Sequence, residues 1–157
     1  MNSKKISEIV VRAADSKRAN DIVVLDMQKV SLMADYFVIA DANSNRQVKA
    51  IADEIVDQVE ADDVNVYSVS GKDTARWILI DLGDVVVHIF QKDVRDFYNL
   101  EKLWSDAPIV NTDHKCRLFH GEFRCMHHKH LYLHYIERSL IHVQPRLGQN
   151  RPYSSST

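Results

Sequence analysis

The sequence contains no hydrophobic run long enough to cross a membrane. Its N-terminus, MNSKKISEIVV, also lacks the long apolar core of a secretion signal. Only two cysteines occur, Cys116 and Cys125, so the fold cannot depend on a framework of disulfides. These absences predict no membrane partner and favour a cytoplasmic or organelle-matrix protein. A chain of 157 residues is long enough for a sizeable hydrophobic core.

The short motifs of common catalytic sites are absent as well. The sequence has neither a GxxxxGK nor a GxGxxG phosphate loop, and no GxSxG nucleophile elbow. The only histidine before residue 110 is His88, which lies in an apolar stretch. A histidine in such surroundings is more often a packed side chain than a general base. Residues 1–110 therefore contain no predicted nucleophile and base pair.

Carboxylates leave one catalytic alternative open. Asp26, Asp35, Asp81 and Asp84 lie at predicted strand ends, where clustered carboxylates could hold Mg²⁺ or Mn²⁺ for phosphoryl chemistry. The competing interpretation is that each aspartate accepts backbone amides at a turn. No Gly-Ser pair or Asp-x-Asp accompanies them. We therefore predict that the protein is not an enzyme and binds neither a metal ion nor a cofactor. The alternative is a nucleotidyltransferase-like, metal-dependent enzyme that uses Asp26, Asp81 and Asp84.

The distribution of charge divides the chain near Val110. Residues 1–110 hold 13 Lys and Arg against 19 Asp and Glu, a net charge of −6. Residues 111–157 hold 7 against 3, a net charge of +4, and seven of the eight histidines. The acidic part argues against nucleic acid as its main target and favours a basic protein partner. We predict one domain over residues 1–110 and an atypical basic, His-rich extension over residues 111–157.

Three interpretations of residues 111–157 remain open. The abrupt change in composition favours a frame-shifted or read-through terminus. A zinc module is the second, on Cys116, His120, Cys125 and His128, although the spacing lacks a Cys-x2-Cys pair. A basic extension that contacts RNA is the third. Its phosphate contacts would be Lys115, Arg117, Arg124, Lys129, Arg138, Arg146 and Arg151.

Hydrophobic periodicity predicts the secondary structure of residues 1–110. A helix capped by Ser3 is expected over 4–19, and a second helix is expected from Ser44 to about residue 60. Gln47 follows Ser44 at the spacing of a capping box. Strands are predicted at 22–27, 35–40 and 64–69, on either side of the turn at 82–84, and a last helix at 93–104. The order αββαβββα indicates an α/β domain with a mixed five-stranded sheet and helices packed on it.

The predicted hairpin RWILIDLGDVVVHIF, residues 76–90, is apolar on both faces. Ile78 and Ile80 alternate in phase with Val85, Val87 and Ile89. The opposite phase carries Trp77, Leu79, Val86, His88 and Phe90. One face can line a core beneath helices. The other must be covered as well, either by the last helix or by a partner protein.

Three ordered motifs make residues 4–110 similar to a known family. They are ADYFVIADANSNRQVKAIADEI (34–55), ARWILIDLGDVVVHIF (75–90) and FYNLEKLWSDAP (97–108), and VLDMQKVSLMADYF (24–37) fits the first strand pair. Together they resemble the ribosomal silencing factor family, also called the Iojap or RsfS family. Three motifs in order across a domain are more specific than any single pattern.

The resemblance implies a translation repressor that is not an enzyme. Members of the family bind the large ribosomal subunit through its fourteenth protein, at the face that meets the small subunit, and block subunit joining. Mitochondrial and chloroplast relatives act in ribosome assembly. The implied fold is an α/β domain with the shape of a nucleotidyltransferase but without its catalytic motif.

We expect the second face of the hairpin to contact the partner. Its predicted contact residues are Trp77, Leu79, Val86 and His88, because an aromatic anchor among apolar residues is typical of an interface hot spot. Asp81 and Asp84 would add acidic contacts at the rim. Tyr98 and Glu101 would contribute if the last helix borders this face. The alternative is that Phe97 and Trp104 of that helix cover the face. The same face could pair two copies of the free protein in a weak homodimer.

Overall fold

The structure, a computed structural model, describes residues 1–110. The elements are α1 (Ser3–Ser16), β1 (Asn20–Asp26), β2 (Tyr36–Ala42), α2 (Asn45–Ala61), β3 (Ser68–Ser70), β4 (Trp77–Asp81), β5 (Val85–Gln91), α3 (Lys92–Tyr98) and α4 (Leu100–Leu103). The predicted α/β class is confirmed, and the order differs only where the last helix is split in two. None of the helices in this part of the chain is both long and apolar enough to span a bilayer.

The five strands form one mixed sheet in the order β1-β2-β5-β4-β3. β2 and β5 run parallel and the other neighbours run antiparallel, which confirms the mixed sheet. The predicted hairpin is β4–β5. Its turn is closed by the amide of Leu82, which donates to the carbonyl of Val85 at 2.9 Å. Gly83 takes a positive φ of 84° there, a conformation that glycine adopts without a steric cost.

Helices α1 and α2 cover one face of the sheet and enclose the main core. Ile78, Ile80, Val87 and Ile89 are fully buried beneath them, as their phase in the hairpin predicts. The predicted apolar stripe of α2 is buried throughout, at Val48, Ile51, Ala52, Ile55 and Val59. Ser44 caps α2 by accepting the amide of Gln47 at 3.2 Å. Because side chains alternate along a strand, the remaining side chains of β4 and β5 lie on the opposite face of the sheet.

The predicted boundaries of two elements, the first helix and the third strand, are wrong. Asn2 caps α1 in place of Ser3, because its Oδ1 accepts the amide of Lys4 at 3.0 Å, and the helix ends at Ser16 rather than at residue 19. The third strand begins at Ser68 rather than at residue 64. Val64 is still occupied in closing α2, since its amide donates to the carbonyl of Val59 at 2.9 Å.

The predicted single helix over 93–104 is interrupted at Asn99. This residue has a φ of 43° and ends α3, with its amide bonded to the carbonyl of Arg95 at 2.8 Å. It then begins α4, because its side chain accepts the amide of Lys102. Asparagine tolerates the left-handed conformation better than most residues do. The break divides the predicted helix into α3 and α4.

Helices α3 and α4 cover only part of the second sheet face. Phe37, Phe90, Leu100 and Trp104 are buried there, and the rings of Phe37 and Trp104 meet edge to face at 5.9 Å. Trp104 therefore covers the sheet, as the packing alternative predicts. Phe97 does not, because it is 82% exposed. β4 lies between β5 and the edge strand β3.

Candidate functional site

Three side chains of β4 and β5 remain half-buried on the second sheet face. They are Trp77, Leu79 and Val86. Asp81 pairs with Val86 across the strands, and its side chain is also half-buried. We call Trp77, Leu79, Asp81 and Val86 the β4–β5 patch. These are four of the eight residues predicted to contact a partner.

Trp77 is surrounded by other aromatic rings. Its ring centroid lies 4.9 Å from that of Phe90 and 5.1 Å from that of Tyr98. Tyr98 is half-buried and comes from α3, so this helix borders the patch. Phe97 lies 5.1 Å from Tyr98 and extends the aromatic surface outward. Aromatic rings at such distances stabilise one another beyond the area they bury.

His88 lies beneath the patch and is only 1% exposed. Its Nδ1 accepts a hydrogen bond from Nε1 of Trp77 at 3.3 Å. Burial lowers the pKa of His88 from 6.5 to about 3, so the imidazole is neutral at neutral pH. Since Nδ1 accepts, the ring proton belongs on Nε2. The structure therefore places His88 behind Trp77 and not on the surface.

The predicted acidic residues are held in local turn contacts. Asp81 accepts the amide of Gly83 at 2.8 Å, and Asp26 accepts the amide of Gln28 at 3.0 Å. Asp84 is exposed in the hairpin turn, and its backbone carbonyl accepts the amide of Asp35 at 2.7 Å. Among residues 1–110, no three or more Asp, Glu, His or Cys side chains are grouped so that they could hold a metal ion.

Glu101 serves an internal network. It accepts hydrogen bonds from Nε and Nη2 of Arg95, at 2.9 Å for Nε. Arg95 also donates to Asp41 at 2.9 Å and to the carbonyl of Asp21 at 2.7 Å. Arg95 and Asp41 are both buried, so this network fastens α3 and α4 to the sheet. The prediction did not include Arg95 or Asp41, although a charged residue inside the apolar strand DYFVIADA is a visible signal.

A second exposed apolar feature lies in the connection between β1 and β2. Leu32 is fully exposed and Met33 is 62% exposed. The two residues lie between the strands predicted at 22–27 and 35–40. Two adjacent apolar residues within a polar turn were the signal available for it. Two predicted sites lie outside the described residues. They are the zinc ligands Cys116, His120, Cys125 and His128, and the residues predicted to contact the phosphates of ribosomal RNA.

Comparison with known proteins identifies the family. The family model described as "Ribosomal silencing factor during starvation" matches residues 1–126, which is most of the chain. The chain belongs to the ribosomal silencing factor family. The match extends past the predicted boundary at residue 110.

Relatives in the ribosomal silencing factor family are similar over the same part of the chain. "Ribosomal silencing factor RsfS" of Bacillus subtilis (strain 168) is 56% identical over 113 residues, which cover 72% of this chain and 96% of that protein. "Protein Iojap, chloroplastic" of Zea mays is 39% identical over 101 residues, covering 64% of this chain and 44% of that protein. These names describe silencing factors and an Iojap protein, not enzymes, which fits a protein without catalytic activity.

A solved structure has the same fold. The crystal structure of a protein from Bacillus halodurans superposes with a TM-score of 0.63 at 44% identity. It covers 69% of this chain and 99% of that chain. The fold of residues 1–110 is therefore the fold of the silencing factor family, consistent with a repressor that associates with the ribosome.

Proposed function

We propose that this protein represses translation in the cytoplasm by binding the large ribosomal subunit and blocking the small subunit. Its docking site would be the fourteenth protein of the large subunit, on the face where the two subunits meet. The observation that carries the proposal is the β4–β5 patch, an apolar surface centred on Trp77 in a chain of the silencing factor family. Half-exposed apolar surface bordered by polar residues is typical of a protein interaction site.

Charge supports a basic protein as the partner. Residues 1–110 carry a net charge of −6, with Asp81 in the patch and Asp84 in the adjoining turn. Complementary charge accelerates and orients docking. Repression itself needs no chemistry, because a bound domain occupies volume into which the small subunit would otherwise move. A binding site formed by packing residues around Trp77 is sufficient for occlusion of this kind.

Sedimentation of purified ribosomal subunits tests the proposal. The protein should migrate with the large subunit alone and should reduce the fraction of joined ribosomes in proportion to its occupancy. A chain cut after Val110 should do the same, because the patch lies entirely within residues 1–110. Absence of both forms from the large subunit would contradict the proposal. Binding by the full-length chain alone would assign the contact to residues 111–157.

Trp77→Ala tests the patch. We expect about 30-fold weaker binding to the large subunit, since truncation of a hot-spot aromatic costs on the order of 2 kcal/mol or more. Leu32→Ala is the matched control, because it truncates a fully exposed apolar side chain outside the patch. Its affinity should remain at the wild-type value. If Trp77→Ala is folded and binds normally, the partner uses another surface.

The same patch would pair two free copies in a weak homodimer. Subunit binding and self-association would then compete for Trp77. Sedimentation equilibrium should show a dimer whose dissociation constant increases in Trp77→Ala and not in Leu32→Ala. A dimer that persists in Trp77→Ala would separate self-association from this surface.

A further inference from the structure

His88 combines deep burial with a single polar contact. It pairs with Leu79 across β4 and β5, and its ring lies 5.1 Å from that of Phe37 and 6.1 Å from that of Phe90. Nδ1 accepts from Nε1 of Trp77, but Nε2 is buried without a hydrogen-bond partner among the residues that the structure describes. One of the two ring nitrogens of His88 therefore makes no hydrogen bond within residues 1–110.

Packing alone does not account for a histidine here. The rings of Phe37 and Phe90 surround it with apolar surface, and a leucine or phenylalanine would fill such a site without a buried, unsatisfied N–H. Local choices that lower stability concentrate at functional positions. The one interaction that a leucine could not supply is the hydrogen bond to Trp77.

That hydrogen bond determines which way the indole faces. The ring contacts with Phe90 and Tyr98 hold the plane of Trp77 in place. The hydrogen bond adds a directional constraint to these contacts, because χ2 of the indole is a torsion with two broad minima. Only one orientation directs Nε1 to His88. The bond therefore selects one of two surfaces that Trp77 could present.

We propose that His88 is a positioning residue that holds the indole of Trp77 in the orientation bound by the partner. The inference rests on the proposed function, since it assigns a role within the same β4–β5 patch. His88 does not touch the partner. Its contribution is preorganisation, because a side chain that is already fixed loses less entropy on binding.

Replacement of the acceptor provides the test. His88→Leu removes it, whereas His88→Asn retains an oxygen at the same number of bonds from Cα as Nδ1. We expect His88→Leu to bind the large subunit about tenfold more weakly, the scale set by freezing one side chain. The Nε1–H resonance of Trp77 should shift at the same time, and Trp77→Phe assigns it because the chain has only one other tryptophan, Trp104. His88→Asn should recover most of the affinity.

A control separates positioning from general loss of stability. Ile39→Val reduces a fully buried side chain that pairs with His88 across β2 and β5, without touching the hydrogen bond. It should leave both the indole resonance and the affinity unchanged. If His88→Leu does not fold, His88→Phe removes the same acceptor in a ring of similar size.

The outcomes are distinguishable. A shifted resonance with unchanged affinity, or an unchanged resonance, would overturn the positioning role while leaving the proposed function intact. An equal loss of affinity in Ile39→Val would also overturn it. Failure of the wild-type chain to migrate with the large subunit would overturn the proposed function, and with it any role for His88 in that binding.

Discussion

The neutral state of His88 links this residue to the stability of the fold. Burial lowers its pKa from 6.5 to about 3, so the folded protein does not take up a proton there until the pH is near 3. The unfolded chain takes up that proton below pH 6.5. Proton uptake therefore favours the unfolded state between these values, and the free energy of unfolding decreases as the pH decreases.

His88→Leu should remove this pH dependence. Between pH 6.5 and pH 4.5 the wild-type free energy of unfolding should decrease by about 2 kcal/mol more than that of the variant. Urea denaturation of both proteins at the two pH values measures the difference, and other titrating groups cancel in the comparison. Equal pH dependence in the two proteins would mean that His88 is protonated within the fold.

Asn99 shows how one residue shapes the region beside the patch. Its φ of 43° divides α3 from α4. Asn99→Ala should lower the free energy of unfolding by about 1 kcal/mol, because alanine resists the left-handed conformation and cannot cap α4. Asn99→Gly accepts that φ and should cost only a few tenths of a kcal/mol. Thermal or urea unfolding measures both, and equal costs would argue against a conformational origin.

At the scale of elements, α3 and α4 are fastened to the sheet by a buried charge network. Arg95 lies between Asp41 of β2 and Glu101 of α4. Both Arg95 and Asp41 are shielded from water, so removal of one partner leaves an uncompensated charge. The network thereby fixes the position of Tyr98 against Trp77.

Arg95→Met should lower the free energy of unfolding by about 3–5 kcal/mol. The double variant Arg95→Met, Asp41→Leu should recover much of that loss, because neither charge then remains buried. Lys72→Met is the control, since its pairing with Asp53 is exposed and should contribute less than about 1 kcal/mol. If the double variant is no more stable than Arg95→Met, loss of packing rather than an unpaired charge causes the effect.

The elements were predictable where the signal is local. The hairpin of β4 and β5 and the stripe of α2 follow from periods of two and about 3.6 residues, and both were predicted. The division at Asn99 was not, because its helix-favouring neighbours Leu100 and Leu103 continue the apolar pattern. The burial of His88 depends on packing by side chains distant in sequence. The contact of Arg95 with Asp41 joins residues 54 positions apart, which no local pattern specifies.

At the scale of the whole molecule, charge should affect how fast the complex forms. The acidic described part carries a net charge of −6. If its partner is basic, the association rate should decrease as salt increases, since screening is substantial above about 0.1 M. Asp81→Asn with Asp84→Asn should reduce that salt dependence. Stopped-flow association at two salt concentrations measures this, and an unchanged dependence would place the steering charge elsewhere.

Residues 108–110 protect one edge of the sheet against aggregation. The amide of Asp26 donates to the carbonyl of Pro108 at 2.8 Å, and the amide of Val110 donates to the carbonyl of Val24 at 2.9 Å. These bonds cover the free edge of β1, while the opposite edge strand, β3, is only three residues long. Uncovered strand edges template the addition of further chains. A chain shortened to end before Pro108 would expose β1 and should polymerise edge to edge, whereas one that ends at Val110 keeps that edge closed.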